Sequence, residues 1–199
     1  MATRIRKARP DDALACARLF IMASHGIAEA VYRDLIPGKP TEQIIGERRV
    51  RPEGRSSSYT NWWVAEDRQG SVAGGINIYP LDERGRSMPE ELLTEERIKV
   101  IMPLIELDAE AAGTFFINAF AVFPEHRHAG IGRELIALAF DEARKAGMAA
   151  VTLSTFEDDD RLIDYYRSFG FVVTASRPLV PHEYISSAGN LILMTCPMR

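Results

Sequence analysis

The chain has 199 residues, 46% hydrophobic and 26% charged, with a formal net charge of -4 at pH 7. That length suits one domain burying roughly two-thirds of its unfolded surface, and the composition is that of a globular protein rather than a disordered one. The acidic balance argues against a general nucleic-acid surface, which needs a basic face to release counterions from phosphates.

No stretch approaches the roughly 18 apolar residues that span a bilayer, and Met1-Ala2-Thr3-Arg4-Ile5-Arg6-Lys7 lacks the apolar centre of a signal peptide. The expectation is a cytoplasmic protein with no membrane and no nucleic-acid partner. Cys16 and Cys196 are the two cysteines, each among apolar neighbours, which suits buried thiols better than a disulfide framework. Four scattered histidines add no metal-ligand spacing, so no metal is expected.

In chain order, Ile5 to Ala8 reads as a first strand, and Pro10-Asp11-Asp12 supplies helix-start chemistry. Ala13, Cys16, Ala17, Phe20 and Ile21 recur at helical spacing. Between Ala30 and Arg55 the pattern loosens; Pro37 to Pro40 marks a turn, Thr41 is the candidate cap of a short helix through Ile44 and Ile45, and Arg51 to Ser58 reads as a loop. Trp62 to Glu66 and Val72 to Tyr79 form an antiparallel hairpin about the turn Asp67 to Gly70. Leu81 to Gly113 reads as an insertion with helical pieces that Pro103 breaks or kinks. Phe115 to Val122 is the most strand-like run, and its near-continuous apolarity predicts burial on both faces. A helix follows from Ile131 or Gly132 to about Lys145, with Gly147 past its end. Val151 to Thr155 is a short strand, Asp158 to Phe169 a short helix ending at Gly170, and Phe171 to Val173 and Leu191 to Thr195 are the last strands. One domain over residues 1–199 accommodates all of this.

The glycine turn between strand and helix, Arg127-His128-Ala129-Gly130-Ile131-Gly132, carries the chemistry. Free backbone amides at a helix start converge on one spot where the helix dipole also favours negative charge. Gly130 and Gly132 allow close approach or a positive backbone angle, and Arg127 and Arg133 can add charge-assisted contacts. A P-loop requires Lys then Ser or Thr after its last glycine, but Arg133-Glu134 follow Gly132. A dinucleotide fingerprint requires Gly or Ala three residues on, where Leu135 stands.

The turn resembles the pyrophosphate motif of the GCN5-related N-acetyltransferase (GNAT) superfamily: Gln or Arg, two residues, Gly, one residue, then Gly or Ala. A second motif lies downstream in Asp159-Asp160-Arg161-Leu162-Ile163-Asp164-Tyr165-Tyr166-Arg167-Ser168-Phe169-Gly170-Phe171. Tyr166, Gly170 and Phe171 fall in register with it, whereas Asp159 replaces the usual Asn, Leu162 the Ala and Tyr165 the Leu.

The resemblance implies an α/β (α+β) fold with a mixed, mostly antiparallel sheet of about seven strands flanked by helices. Two splayed parallel strands, Phe115 to Val122 and Val151 to Thr155, would hold the co-substrate acetyl-CoA. It implies pantetheine contacts at Phe120, Ala121 and Val122, and pyrophosphate contacts at Arg127, His128, Ala129, Gly130, Ile131, Gly132 and Arg133, with Asp159 in the place of the contacting Asn. The implied activity is acetyl transfer to a primary amine by direct attack, with a small-molecule or peptide acceptor, 81–113 as an acceptor-side lid, and a homodimer paired through carboxyl-terminal strands. A non-catalytic acyl-CoA sensor and a nucleotide-binding regulatory domain are the alternatives.

Tyr166 is the candidate general acid. A phenol (about 10) gives its proton to a thiolate (about 8.5) uphill by roughly 2 kcal/mol, so it acts only if placed at the sulfur; a core aromatic is the rival reading. Neutralising a lysine-like amine at pH 7 costs roughly 4 to 5 kcal/mol, so a base or water chain is expected, and Glu66, Asn118, Glu106 and Asp108 are the candidates. At most one of Trp62 and Trp63 can line an acceptor pocket, because adjacent strand residues face opposite ways. His126 and His128 lie in the turn without a catalytic role. Glu157 to Asp160 reads as a helix-start charge cluster.

Overall fold

The computed structural model describes residues 4–50, 56–82 and 94–198. Seven strands, β1 (Arg4–Lys7), β2 (Trp62–Glu66), β3 (Val72–Pro80), β4 (Phe115–Val122), β5 (Ala150–Phe156), β6 (Val172–Pro178) and β7 (Asn190–Pro197), form one sheet in the order β1-β2-β3-β4-β5-β7-β6. Every neighbouring pair is antiparallel except β4 and β5. Among the described residues six α-helices flank the sheet: α1 (Ala13–Ala23), α2 (Ile27–Tyr32), α3 (Thr41–Arg49), α4 (Glu95–Glu110), α5 (Ile131–Lys145) and α6 (Asp160–Arg167).

Parallel β4 and β5 require a crossover, and α5 supplies it. Its apolar stripe, Ile131, Leu135, Ile136, Ala139 and Ala143, is buried against Ile76, Ile117 and Leu153. The helix stops where expected: Gly147 takes φ +68, its amide donates to the Arg144 carbonyl at 3.1 Å, and the Met148 amide reaches the Ala143 carbonyl at 3.0 Å. Those two bonds satisfy carbonyls that a helix end otherwise leaves bare. On the other face Cys16 and Leu19 of α1 pack with Trp62, Val64, Ala119 and Ala121, and α2 and α4 share a second cluster with Phe116, Phe156 and Leu191.

The β3–β4 register shifts midway: Asn77 pairs with Ala119 but Ile78 with Ile117, leaving Asn118 as an extra residue in β4. Such a bulge bends its strand and exchanges its faces. Before it Phe115 and Ile117 face the α5 cluster; beyond it Phe120 and Val122 do so, while Ala119 and Ala121 turn to α1. β4 is accordingly mostly buried on both faces, as its apolarity predicts.

Three local expectations are corrected. α4 runs unbroken through Pro103. The carbonyl that Pro103 deprives of a donor belongs to Lys99, on an exposed turn where water can meet it, and buried Val100, Ile101 and Leu107 hold the helix in place. Thr41 is the first helical residue of α3 rather than its cap, because its hydroxyl donates to Glu29 Oε2 at 2.6 Å, tying α3 to α2. The same helix continues to Arg49, fully buried, whose guanidinium lies over Phe20 (4.4 Å) and Trp62 (5.3 Å) and donates to the Ser57 carbonyl at 2.6 Å. Burial pulls the Arg49 pKa down to about 10. Residues 51–55 of the expected loop and 83–93 of the expected insertion lie outside the described residues. Cys16 and Cys196 are both buried.

Candidate active site

β4 and β5 pair only at Phe115, Phe116 and Ile117 with Val151, Thr152 and Leu153. Past Ile117 and Leu153 they separate, because the bulge at Asn118 turns β4 away. The opening is a groove of about 770 Å³, walled by the ends of both strands and by the starts of α5 and α6.

At its mouth is the glycine turn. His128 (φ +61) and Gly130 (φ +86) are both left-handed, and the first backbone bond into α5 runs from the Glu134 amide to the Gly130 carbonyl at 3.2 Å. Among the described residues no hydrogen bond is recorded for the amides of residues 128 to 133, so the alternating backbone presents a concave set of donors, the geometry that takes an anion. A Cβ at Gly130 would meet nothing within 4 Å, so its conformation, not crowding, calls for glycine there. Gly132 is different: a Cβ would stand 2.9 Å from the Tyr165 hydroxyl and 3.1 Å from Phe120 Cζ. Arg127, Arg133 and Arg161 also line the groove. Arg127 is held there by Nε donating to the Val122 carbonyl at 3.1 Å, and Arg133 lies over the Phe169 ring at 5.8 Å. A pyrophosphate therefore fits this set in charge and in donors.

Of the residues singled out from the sequence, Phe120, Ala121, Val122, Arg127, His128, Gly130, Ile131, Gly132, Arg133, Asp159 and Tyr166 line the groove, and Ala129 does not. The Asp159 carboxylate accepts the Leu162 amide at 3.0 Å and so caps α6, a helix-end task that an Asn could share. Tyr166 is buried at 5% exposure amid Phe120, Tyr165 and Phe171, and burial raises its phenol above the ordinary value. It stays protonated through neutral pH.

The structure separates the base candidates. Glu66 is ion-paired with Arg6 at 2.5 Å on β2, and Glu106 with Arg177 at 2.7 Å. Asp108 is buried within α4 and lines neither the groove nor the second cavity described below. Asn118 alone of the four reaches the strand opening, where its Nδ2 donates to Asn77 Oδ1 at 2.8 Å. Neither tryptophan lines either space: Trp62 is core, and Trp63 packs against the α5 side with Lys7 Nζ 4.6 Å above its ring. The acidic run is spent locally, Glu157 on the Asn190 amide nitrogen (2.8 Å) and Asp158 on the Ala188 amide (2.8 Å). His126 lies 3.9 Å from Asp67 at the groove mouth.

Sequence reading missed Met22, Ala23, His25, Ser154, Thr155 and Arg161, all of which line the groove. Arg161 was discoverable, since it stands two residues after Asp159 in the second motif; His25, stacked on Phe156 at 4.7 Å, had no local signal. A second cavity of about 110 Å³ adjoins the groove, with Ala23, Asn118 and Ser154 common to both. Among the described residues no cluster of three metal-ligating side chains occurs, and no helix is long and apolar enough to cross a membrane.

The sheet is mixed and split between its parallel strands, with the unbonded amides of a helix start at the split. Residues 28–171 match the model of the Acetyltransferase (GNAT) family, and the chain belongs to that family. A curated relative, the L-amino acid N-acyltransferase MnaT of Escherichia coli K12, is 36% identical over 63 residues, which span 32% of this chain and 37% of the relative. Among solved structures, Ard1 of Thermoplasma volcanium superposes with a TM-score of 0.62 at 20% identity, covering 100% of this chain and 99% of that one. The yncA product of Salmonella typhimurium, solved with its cofactor acetyl-CoA, superposes at 0.60 with 21% identity, covering 100% and 95%. These likenesses share the fold.

Proposed function

We propose that the chain transfers an acyl group, acetyl in the simplest case, from acyl-CoA to a primary amine by direct attack. The observation that carries this is the groove between β4 and β5, open from Ile117 and Leu153 onward and closed at its mouth by the donors of residues 128 to 133. Acyl-CoA supplies a thioester, an activated carbonyl with a thiolate leaving group. The amides of the turn with Arg127 and Arg133 hold the pyrophosphate, and residues 120 to 122 hold the pantetheine. The nitrogen–carbon bond forms as the carbon–sulfur bond breaks, Tyr166 protonates the departing sulfur, and the proton lost by nitrogen restores the phenol through solvent.

The raised phenol makes proton donation from Tyr166 costlier than for a free tyrosine. A thiolate desolvated beside Tyr166 would be destabilised in the same way, which offsets that cost. Asn118 lines both the groove and the adjoining cavity, and it positions rather than deprotonates. Ile101 and Leu104 of α4 line the acceptor side, and the whole chain acts as one domain. The test is free thiol release from acetyl-CoA across an amine panel, with calorimetry for acetyl-CoA, ATP and NAD. Tight binding without thiol release from any amine supports the non-catalytic sensor instead; ATP or NAD binding without CoA binding supports the nucleotide module.

A further inference from the structure

The second cavity has one wall from α1 and α2, one from α4, and a floor from β4, β5 and β7. Phe20, Ile27, Val31, Ile101, Phe116 and Phe156 make its body apolar. No charged side chain lines it among the described residues, and the nearby Arg49 is turned onto the Ser57 carbonyl and two aromatic rings. Ser24, Tyr32, Ser56 and Ser57 add polar groups to its lining, and two more lie at the strand opening. There Ser154, next after the last paired residue of β5, has a buried hydroxyl without a hydrogen-bond partner. Opposite, on the bulge, Asn118 gives its Nδ2 to Asn77, itself wholly buried, which leaves Oδ1 to accept. A buried hydroxyl without a partner is costly, and a ligand that bonds to it recovers that cost.

Resting on the acyl-transfer reading, we infer that this cavity takes a small uncharged-bodied primary amine, with its nitrogen held between Asn118 Oδ1 and Ser154 Oγ and its apolar body among the α2 and α4 side chains. Size sets the class: an apolar cavity of about 150 Å³ accepts benzene, so about 110 Å³ suits a branched alkyl group smaller than that ring. A carboxylate on the acceptor would find no counter-charge among the described residues of the lining. The two polar groups also fix the direction of the amine lone pair, which points through the opening into the groove.

The test compares matched acceptors with the full chain and acetyl-CoA: isopentylamine, isobutylamine, L-leucine and a lysine-containing peptide, followed by thiol release. Isopentylamine and isobutylamine should exceed L-leucine and the peptide in kcat/KM by at least about tenfold, the loss expected for one unmet polar group. Ser154→Ala should raise KM for isopentylamine about tenfold, and Ser154→Thr, which keeps the hydroxyl, should recover part of the loss. Ile101→Trp, which fills the cavity, should suppress turnover of both amines while calorimetric acetyl-CoA binding persists. Preference for L-leucine or the peptide, or an unchanged amine KM in Ser154→Ala, overturns this inference but leaves acyl transfer standing. Absence of thiol release with every amine overturns both.

Discussion

The phenol oxygen of Tyr165 lies 2.9 Å from the place where a Cβ of Gly132 would stand. The two motifs are thereby interlocked: a tyrosine where the family pattern has leucine occupies the space that an alanine at position 132 would need. Tyr165 also stacks on Phe120 at 6.2 Å, and both rings line the groove.

Gly132→Ala is expected to cost about 1 kcal/mol, near the lower end for added bulk, because the clashing atoms are ends of side chains. Tyr165→Leu should relieve it. Urea denaturation of both single variants and the double variant should give a coupling of at least about 0.5 kcal/mol; additive effects would deny the interlock.

Gly130→Asp places a carboxylate among the amides of residues 128 to 133 at a φ of +86. Open space around the new Cβ predicts a folded protein, with about 1 kcal/mol lost to the left-handed backbone. Acetyl-CoA affinity should fall at least about a hundredfold by calorimetry, since repulsion replaces donation at the pyrophosphate. Retained affinity would move the cofactor elsewhere.

Tyr166→Phe should leave acetyl-CoA affinity unchanged and lower kcat by about 10² or more, within the usual range for a lost general acid. Because burial raises the Tyr166 phenol, the acid form persists beyond the ordinary value of about 10. With the wild type, kcat/KM for an alkylamine should therefore climb about tenfold per pH unit toward the amine pKa, with no descending limb from the acid before pH 10. A fall between pH 8 and 9 would assign the acid to another group.

Asp12 provides a pH test of the fold. Burial alone raises its carboxyl, but the Arg6 hydrogen bond at 2.6 Å, the Arg9 amide and the charges of Arg6 and Arg9 outweigh that and hold it below the usual range. A depressed carboxyl stabilises the native state fully above its unfolded pKa, about 4, and loses that contribution as pH falls through the native value. Asp12→Asn should lower stability at pH 7 by about 1 kcal/mol and lose less between pH 5 and pH 2 than the wild type, as read from denaturant midpoints.

Much of the site was legible in residue order. The glycine turn, the helix of α5 with Gly147 beyond it, and the register of Tyr166 with Gly170 and Phe171 depend on backbone angles and spacings within a few consecutive residues. Such constraints survive in sequence because few residue types satisfy them. Pro103 misled for the complementary reason. Local propensity disfavours proline inside a helix, yet burial of Val100, Ile101 and Leu107 outweighs it, and burial depends on partners in β-strands and α2.

The sequence by itself determined the strand order along the chain, the glycine turn and the family motifs, because each is set by neighbours along the backbone. Only the tertiary structure decided that Asn118 sits on a bulge, that Ser154 faces it across parted strands, that Glu66 and Glu106 are committed to arginines, and that neither Trp62 nor Trp63 lines the groove or the second cavity. Those outcomes arise where residues dozens of positions apart compete for the same space and the same hydrogen bonds, a contest that no single segment encodes.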